Sequence, residues 1–353
     1  MSKLTTLRSH FGDLGIDAML ITSEFNRRFI TGFTGSTGNA IVTKDGAVFL
    51  TDFRYTQQAK SQVKDFTIHE FKKSLVEETA EKLKELGATK IGFEKEHMSY
   101  GLYELYNKAV DGVLVPFSST IENMRMIKTE DELSVLRKAA EIADQAFEHI
   151  CTFIKPGMKE IDVSNELEFF MRKLGATSSS FDIIVASGER SALPHGVASE
   201  KVIEKGDFVT LDFGAYFNGY VSDITRTVAV GEPSEKLKEI YQIVLDAQEK
   251  SLREIKPGMN TAEADAIARD HIKSHGYGDA FGHSLGHGIG LEVHEGPGLS
   301  PRSSVILEPG MVITIEPGIY LEGIGGVRIE DDAIVTENGL ERLTHSTKEL
   351  RIL

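Results

Sequence analysis

The first third of the chain alternates short apolar runs with longer amphipathic stretches. AMLITS, AIVTKDGAVFLTD, KIGFE and VLVPFS have the composition and turn-bounded length of strands. The stretches around 74–87 and 99–110 read as helices. This alternation predicts an α/β domain over residues 1–123. One loop within it, GFTGSTG at 32–38, has the glycine density of a phosphate loop. Its spacing matches neither a Walker loop nor a dinucleotide fingerprint, so a tight structural loop is expected.

From about residue 124 the pattern changes. A long charged helix is predicted from Thr129 to Thr152, with Thr129 as N-cap and Glu132 at the capping-box position. It leads into IKPGM at 154–158, and the same letters return at 255–259 after another helical stretch. EKGDFVTLDFG at 204–214 is echoed by EPGMVITIEPG at 308–318, which aligns Gly206 with Gly310, Thr210 with Thr314, Asp212 with Glu316 and Gly214 with Gly318. The order helix, KPGM, helix, strands thus occurs twice, and residues 124–353 read as a duplicated αβ unit. A site is expected where the copies meet, with an acidic residue at the same point of each.

The acidic residues carry the candidate chemistry. In VTLDFGAYFNGYVSDITRTVAV (209–230), Asn218-Gly219 signals a two-residue hairpin that sets residue 212 opposite 225. Side-chain alternation then puts Asp212, Asp223 and Thr225 on one face, with the two aspartates diagonal neighbours ~7–8 Å apart at Cα. Bare carboxylates aimed together repel, and burying each costs several kcal/mol. The apolar flanks therefore favour a cation between them over an exposed pair. Glu316 ends the apolar run MVITIE, just before Pro317-Gly318. Glu330 lies in GGVRIEDDAIV, read as the next strand, where Arg328 shares its face and a structural Arg–Glu pair is the competing account. FGHSLGHGIGLEVHEG gathers His283, His287 and His294 among glycines, where backbone can approach closely. Four carboxylates and two divalent ions balance in charge. Oxygen-rich ligands with one imidazole suit Mn²⁺, Co²⁺ or Zn²⁺ and disfavour copper and thiolate chemistry. Two ions sharing a water lower its pKa toward 7, enough for attack on an acyl or phosphoryl centre.

Composition narrows the class. The 353 residues suit two domains, and 41% hydrophobic with 26% charged residues excludes a disordered or fibrous chain. A net charge of -15 repels phosphate backbones and anionic lipids, so neither nucleic acid nor a membrane is expected as partner. The single cysteine, Cys151 in HICTFI, cannot form an internal disulfide, which fits a reducing compartment. The N-terminal stretch MSKLTTLRSHFGDLG lacks an apolar signal region, and no run approaches ~20 uninterrupted apolar residues. A soluble, cytoplasmic protein is expected.

DFGAYFNGYVSDITRT, GHSLGHGIG, HEGPG, IEPGIY and GGVRIED resemble the pita-bread metallopeptidases, specifically the Xaa-Pro branch of prolidase and aminopeptidase P. The resemblance spans the chain. It implies an α/β (α+β) fold: a creatinase-type N-terminal domain over 1–123, then a pseudo-symmetric pita-bread catalytic domain over 124–353. It further implies a dinuclear-metal hydrolase, with Mn²⁺ the first expectation, that cleaves the Xaa-Pro bond next to a free N-terminus, and a homodimer or larger assembly. Carried over residue by residue, Asp212 chelates one ion, Asp223 and Glu330 bridge both, and His287 and Glu316 complete the other. Glu316 also shuttles a proton. His195, in ALPHGVAS, and His294 contact substrate and stabilise the tetrahedral intermediate, with help from His283. Phe181 matches an aromatic of the proline pocket, and Thr225 a partner of Asp223. Proline has no N–H and a fixed φ, which suits an apolar ring-shaped pocket. A methionine aminopeptidase shares the ligands but not the N-terminal domain. A creatine-hydrolysing relative lacks the metal, and a non-catalytic pita-bread binding protein typically loses ligands. Compact prolidases have an arginine shortly after the HE dipeptide, to hold the substrate carboxylate. Here Gly298 stands in that place and Arg302 is the nearest arginine. Xaa-Pro-Yaa peptides are therefore the expected substrates, with strict Xaa-Pro dipeptides the alternative.

Overall fold

AMLITS supplies the strand Ala18–Ile21, which is buried along its whole length. The computed structural model describes residues 2–353, and among the described residues this strand lies inside a six-stranded sheet, which accounts for its burial. The sheet runs in the order Thr67–Glu70, Ala47–Thr51, Asn39–Thr43, Ala18–Ile21, Lys90–Glu94, Val113–Phe117. The hairpin of AIVTKDGAVFLTD pairs antiparallel, whereas Ala18–Ile21 with Lys90–Glu94 and Lys90–Glu94 with Val113–Phe117 pair parallel. Pro116 is tolerated because its strand is an edge. Helices Leu75–Glu85 and Tyr100–Ala109 are N-capped by the Ser74 and Ser99 hydroxyls. Leu20, Ile41, Leu50, Phe93 and Tyr106 belong to the core they cover.

GFTGSTG is a structural loop. The buried Arg27 guanidinium donates to the carbonyls of Gly38 (2.9 Å) and Gly35 (2.9 Å). A phosphate cradle offers N–H groups; here the carbonyls face inward onto a cation.

This first unit ends at Arg125 and a second begins at Met126. In the second unit the helix Glu130–Phe153 opens with the Thr129–Glu132 capping box. It is followed by helix Glu160–Lys173 and later by the helices Glu235–Glu254 and Thr261–Ser274. The repeat is visible in the backbone hydrogen bonds. After the first KPGM, Gly157 donates to Ile203 and Ile203 to Met158; after the second, Gly258 donates to Leu307 and Leu307 to Met259. Gly206 donates to Val230 as Gly310 does to Val335. Each half also has an antiparallel trio of strands: Ile184–Ser187, Phe208–Phe213 and Ile224–Ala229 in the first, Gly286–Gly288, Val312–Ile315 and Asp331–Thr336 in the second. Helix pair and sheet enclose an apolar core in each half, around Phe147, Val163 and Leu211 in one and Val244, Ala268 and Ile313 in the other. Among the described residues no helix is long and apolar enough to cross a membrane.

Two local expectations need correcting. The Asn218-Gly219 turn keeps the predicted register, with Phe217 opposite Tyr220 and Asp212 opposite Thr225. The ladder is nevertheless split into two sheets around Gly214, where a Cβ would stand 1.7 Å from the Ser222 carbonyl oxygen. GGVRIEDDAIV is two strands rather than one. Gly325–Arg328 pairs with Gly318–Leu321, and Asp331–Thr336 pairs with Val312–Ile315. Pro317 has no N–H to continue the ladder past Glu316, so the ladder is interrupted at Ile329-Glu330.

Candidate active site

These breaks place acidic side chains where strands end. Asp212 is near the end of Phe208–Phe213, Asp223 immediately precedes Ile224–Ala229, Glu316 follows Val312–Ile315, and Glu330 lies between Gly325–Arg328 and Asp331–Thr336. His287 is the middle residue of Gly286–Gly288, which lies close enough to its neighbour that a Cβ on Gly286 would stand 2.0 Å from the Thr314 carbonyl oxygen. All five line one cavity of about 610 Å³.

The ligating atoms of Asp223, His287 and Glu330 lie within 4.8 Å of one another. His287 Nδ1–H donates to the Gly288 carbonyl (3.1 Å), which leaves the Nε2 lone pair facing Glu316 Oε1 at 3.3 Å and Asp223 Oδ2 at 3.8 Å. Burial pushes His287 down to about 4, so the ring is neutral and these contacts are not ion pairs. Burial, opposed by Arg328 and reinforced by Asp212, raises Glu316 to about 8. Burial and then the neighbouring carboxylates push Asp223 and Glu330 well above the ordinary range. Asp212 Oδ1 and Asp223 Oδ1 are buried without a hydrogen-bond donor among the described residues. Oxygens without donors, like charges in common reach and a neutral imidazole with a free lone pair fit divalent cations.

One expected partner is a different one, and the competing Arg328–Glu330 pair does not form. The Thr225 hydroxyl donates to Glu330 Oε2 (2.6 Å) rather than to Asp223, whose backbone N–H donates to Asp332 Oδ2 (2.9 Å). Arg328 does not pair with Glu330. Its guanidinium donates to Asp212 Oδ2, to the Thr225 hydroxyl and to the Tyr320 hydroxyl. Tyr320 passes its own proton toward His283 Nε2 (2.8 Å), because His283 Nδ1–H is committed to the Ser284 carbonyl (2.8 Å). Burial, with Arg328 adding, holds His283 down to about 4, and burial raises Tyr320 to about 12. The chain from Asp212 to Ser284 is therefore neutral beyond the guanidinium and has a fixed direction. Tyr320 and Arg328 stand inside IEPGIY and GGVRIED, so the motifs contained them; what sequence reading missed was the partner of each.

His195, His283, His294 and Phe181 line the same cavity. The His287 and His294 rings have centroids 4.3 Å apart. Phe181, Ile184, Pro194, Val197 and Val293 form its apolar wall, and Gly298 leaves one side bare. Arg302 is outside this cavity. It is exposed and lines an adjoining hollow of about 390 Å³ that shares His283, Ser284 and Ser300 with it.

The chain matches known proteins over its length. Residues 134–337 match the metallopeptidase family M24, and residues 3–127 the creatinase/prolidase N-terminal domain. A solved structure of an Xaa-Pro dipeptidase from Bacillus anthracis is 59% identical, with a TM-score of 0.98 over 99% of each chain. An X-Pro aminopeptidase from Thermotoga maritima MSB8 is 42% identical, with a TM-score of 0.91 over 96% of this chain and 98% of that one. An Xaa-Pro dipeptidase of Pyrococcus horikoshii is 46% identical across 95% of this chain and 94% of that relative. By these matches the chain belongs to metallopeptidase family M24 and is a metal-dependent peptidase, with a pita-bread catalytic domain preceded by a creatinase-type N-terminal domain.

Proposed function

We propose that this peptidase cleaves the Xaa-Pro bond next to a free N-terminus, and that Asp212, Asp223, His287, Glu316 and Glu330 hold two divalent ions, Mn²⁺ ahead of Co²⁺ or Zn²⁺. The observation that carries the reading is the pair of buried carboxylate oxygens without donors, on Asp212 and Asp223, beside the free Nε2 of a neutral His287. Asp212 has the Arg328 guanidinium on its other oxygen, whereas the Asp223 carboxylate persists as an anion only with a further cation beside it. Bound ions supply Lewis acidity toward the scissile carbonyl and toward water. The chain's own groups do the remaining work. Glu316, which lines the cavity beside His287, is placed to exchange a proton with the attacking water. His195 and His294 hold the carbonyl oxygen as charge develops on it, and His283, fixed by Tyr320, assists. The apolar wall around Phe181 takes the proline ring, which has no N–H to bond.

In this reading residues 1–123 form the accessory domain and 124–353 the catalytic one. The acidic chain and its lone cysteine support a cytoplasmic enzyme, and family resemblance supports a homodimer or larger assembly. Gly298 stands where an arginine would meet a dipeptide's carboxylate, and the guanidinium of Arg328, which does line the cavity, is committed to Asp212 and Tyr320; this favours Xaa-Pro-Yaa substrates. The second reading is a strict dipeptidase, favoured by the names of the Bacillus and Pyrococcus relatives. The test is a panel of Xaa-Pro and Xaa-Pro-Yaa peptides with metal-loaded enzyme. Cleavage of tripeptides at the Xaa-Pro bond, with kcat/KM at least comparable to dipeptides, is expected. Exclusive cleavage of dipeptides would establish the second reading. Full activity in protein shown to be free of metal would overturn both.

A further inference from the structure

We infer that each half of the catalytic unit carries a carboxylate–arginine clip that positions its own histidine loop: Glu160 with Arg190 for His195, and Asp265 with Arg269 for His283. The clips matter to catalysis through the roles proposed for those two histidines, and rest on them. None of the four clip residues lines the cavity, so they act as positioning residues, through the loops.

In the first half Glu160 opens the helix Glu160–Lys173, and its carboxylate is fully buried. It accepts from the Ser187 N–H (2.7 Å) and hydroxyl (2.8 Å), from the Ser199 N–H (3.1 Å) and hydroxyl (2.6 Å), and from the Arg190 guanidinium. Ser187 and Ser199 are the two ends of the loop that carries His195. Arg190 reaches across the loop to the Val197 carbonyl (3.0 Å). Between these anchors the backbone makes the short-range turn bonds Leu193 to Arg190, Gly196 to Leu193 and Val197 to His195, with one longer bond from the Ala198 N–H to the Ile183 carbonyl (3.3 Å), and His195 itself is exposed to the cavity. One carboxylate therefore fixes both ends of the loop, and its arginine fixes the middle.

The second half repeats the device from a different helix position. Asp265, one turn inside Thr261–Ser274, accepts from Arg269 Nε (2.6 Å) and Nη2 (2.8 Å) and from the Leu285 N–H (2.9 Å). Arg269 donates to the carbonyls of Phe281 (3.0 Å) and His283 (2.8 Å). Glu160 and Asp265 do not occupy equivalent positions, since Thr261 is the residue that follows the second KPGM as Glu160 follows the first. The two halves thus share an arrangement of groups rather than a residue, and in both it secures the backbone on either side of a cavity histidine.

The experiment is a set of double-mutant cycles on the metal-loaded, full-length enzyme, with an Xaa-Pro-Yaa substrate and metal content measured alongside. Glu160→Gln keeps the volume but turns an amide donor toward groups that themselves donate. Arg190→Gln is the gentler second variant, since its side chain is 27% exposed. Both should lower kcat by about 10–100-fold, as a displaced catalytic group does, with two metals still bound. The loss should vanish when His195→Ala is already present and persist in full beside His283→Ala. Asp265→Asn and Arg269→Gln should show the mirror pattern, vanishing beside His283→Ala and persisting beside His195→Ala. Wild-type kcat in both Glu160→Gln and Arg190→Gln, or losses that multiply fully with His195→Ala, would overturn the clip. Wild-type rates in His195→Ala alone would instead sink the role of that histidine, which separates the two failures.

Discussion

Removing the metals should make stability fall as pH rises from about 6.5 to about 8, and restoring them should rescue it most at the upper end. In the metal-free protein Glu316 is raised from 4.5 to about 8. A carboxyl raised above its unfolded value contributes stability that is whole below about 4.5 and lost as pH climbs through about 8. His283 and His287 work the other way. Each is lowered from 6.5 to about 4, so each costs stability at acid pH, and that cost is relieved as pH rises to about 6.5. The two effects oppose below about 6.5, and only the carboxyls act above it. Over roughly 1.5 pH units Glu316 alone loses about 2 kcal/mol, at about 1.36 kcal/mol per unit. Asp223 and Glu330, raised in the same direction, add to this. For a domain of this size 1 kcal/mol moves Tm by about 2–4 °C, so the metal-free protein should melt about 4–8 °C lower, or more, at pH 8 than at pH 6.5. Scanning calorimetry of chelator-dialysed protein, with and without Mn²⁺, measures it. Because protons and cation compete for the same oxygens, the metal-induced rise in Tm should grow with pH. A metal-free Tm that stays flat or rises across this window would refute the protonated-carboxyl account.

The remaining expectations concern single residues. Asp223→Asn removes charge and lone-pair capacity from the centre of the cluster, and activity should fall by ~10³-fold or more with reduced metal occupancy; near-normal rates with two metals bound would contradict its assignment. His195→Ala and His294→Ala should each keep the metals and lose kcat by about 10²–10³-fold; loss of metal in either would move that histidine among the ligands. Arg302→Ala should lower kcat/KM for dipeptides more than for tripeptides if Arg302 reaches back from its hollow to a dipeptide carboxylate. Equal ratios for the two substrates would remove it from recognition.

Elements set by local chemistry were legible. The capping box at Thr129 and Glu132, the Asn218-Gly219 register and the KPGM repeat each depend on a few neighbouring residues, and each is present. The split of GGVRIEDDAIV was not legible from its own letters. It follows from Pro317, which lies between Val312–Ile315 and Gly318–Leu321 and becomes relevant only once those strands pair. The partner of Arg328 was hidden for a related reason. Alternation put it on the face of Glu330, and both do reach the Thr225 hydroxyl, but its guanidinium also extends to Asp212, which enters from the other half. Gly298 and Arg302 are four residues apart in sequence, yet one lines the cavity and the other a neighbouring hollow, which sequence distance could not tell.

The misplaced partner of Thr225 has a common cause with these, and it bears on how the duplicated unit makes one site. Asp223 immediately precedes the last strand of the first trio, and Glu330 immediately precedes the last strand of the second. Two residues further on stand Thr225 and Asp332. Each supports the acid of the opposite half: the Thr225 hydroxyl donates to Glu330, and Asp332 accepts from the Asp223 N–H. Reasoning within one hairpin could only pair Thr225 with Asp223, because the true partner enters from the other copy. Exchange of supports also links the halves energetically. Displacing one half would leave the buried carboxyls of Glu330 and Asp332 without these donors, and the Asp223 N–H without its acceptor, at a cost of about 1–3 kcal/mol or more apiece. The same contacts that orient the acids therefore hold the two copies in register, and a site built this way cannot form in either copy alone.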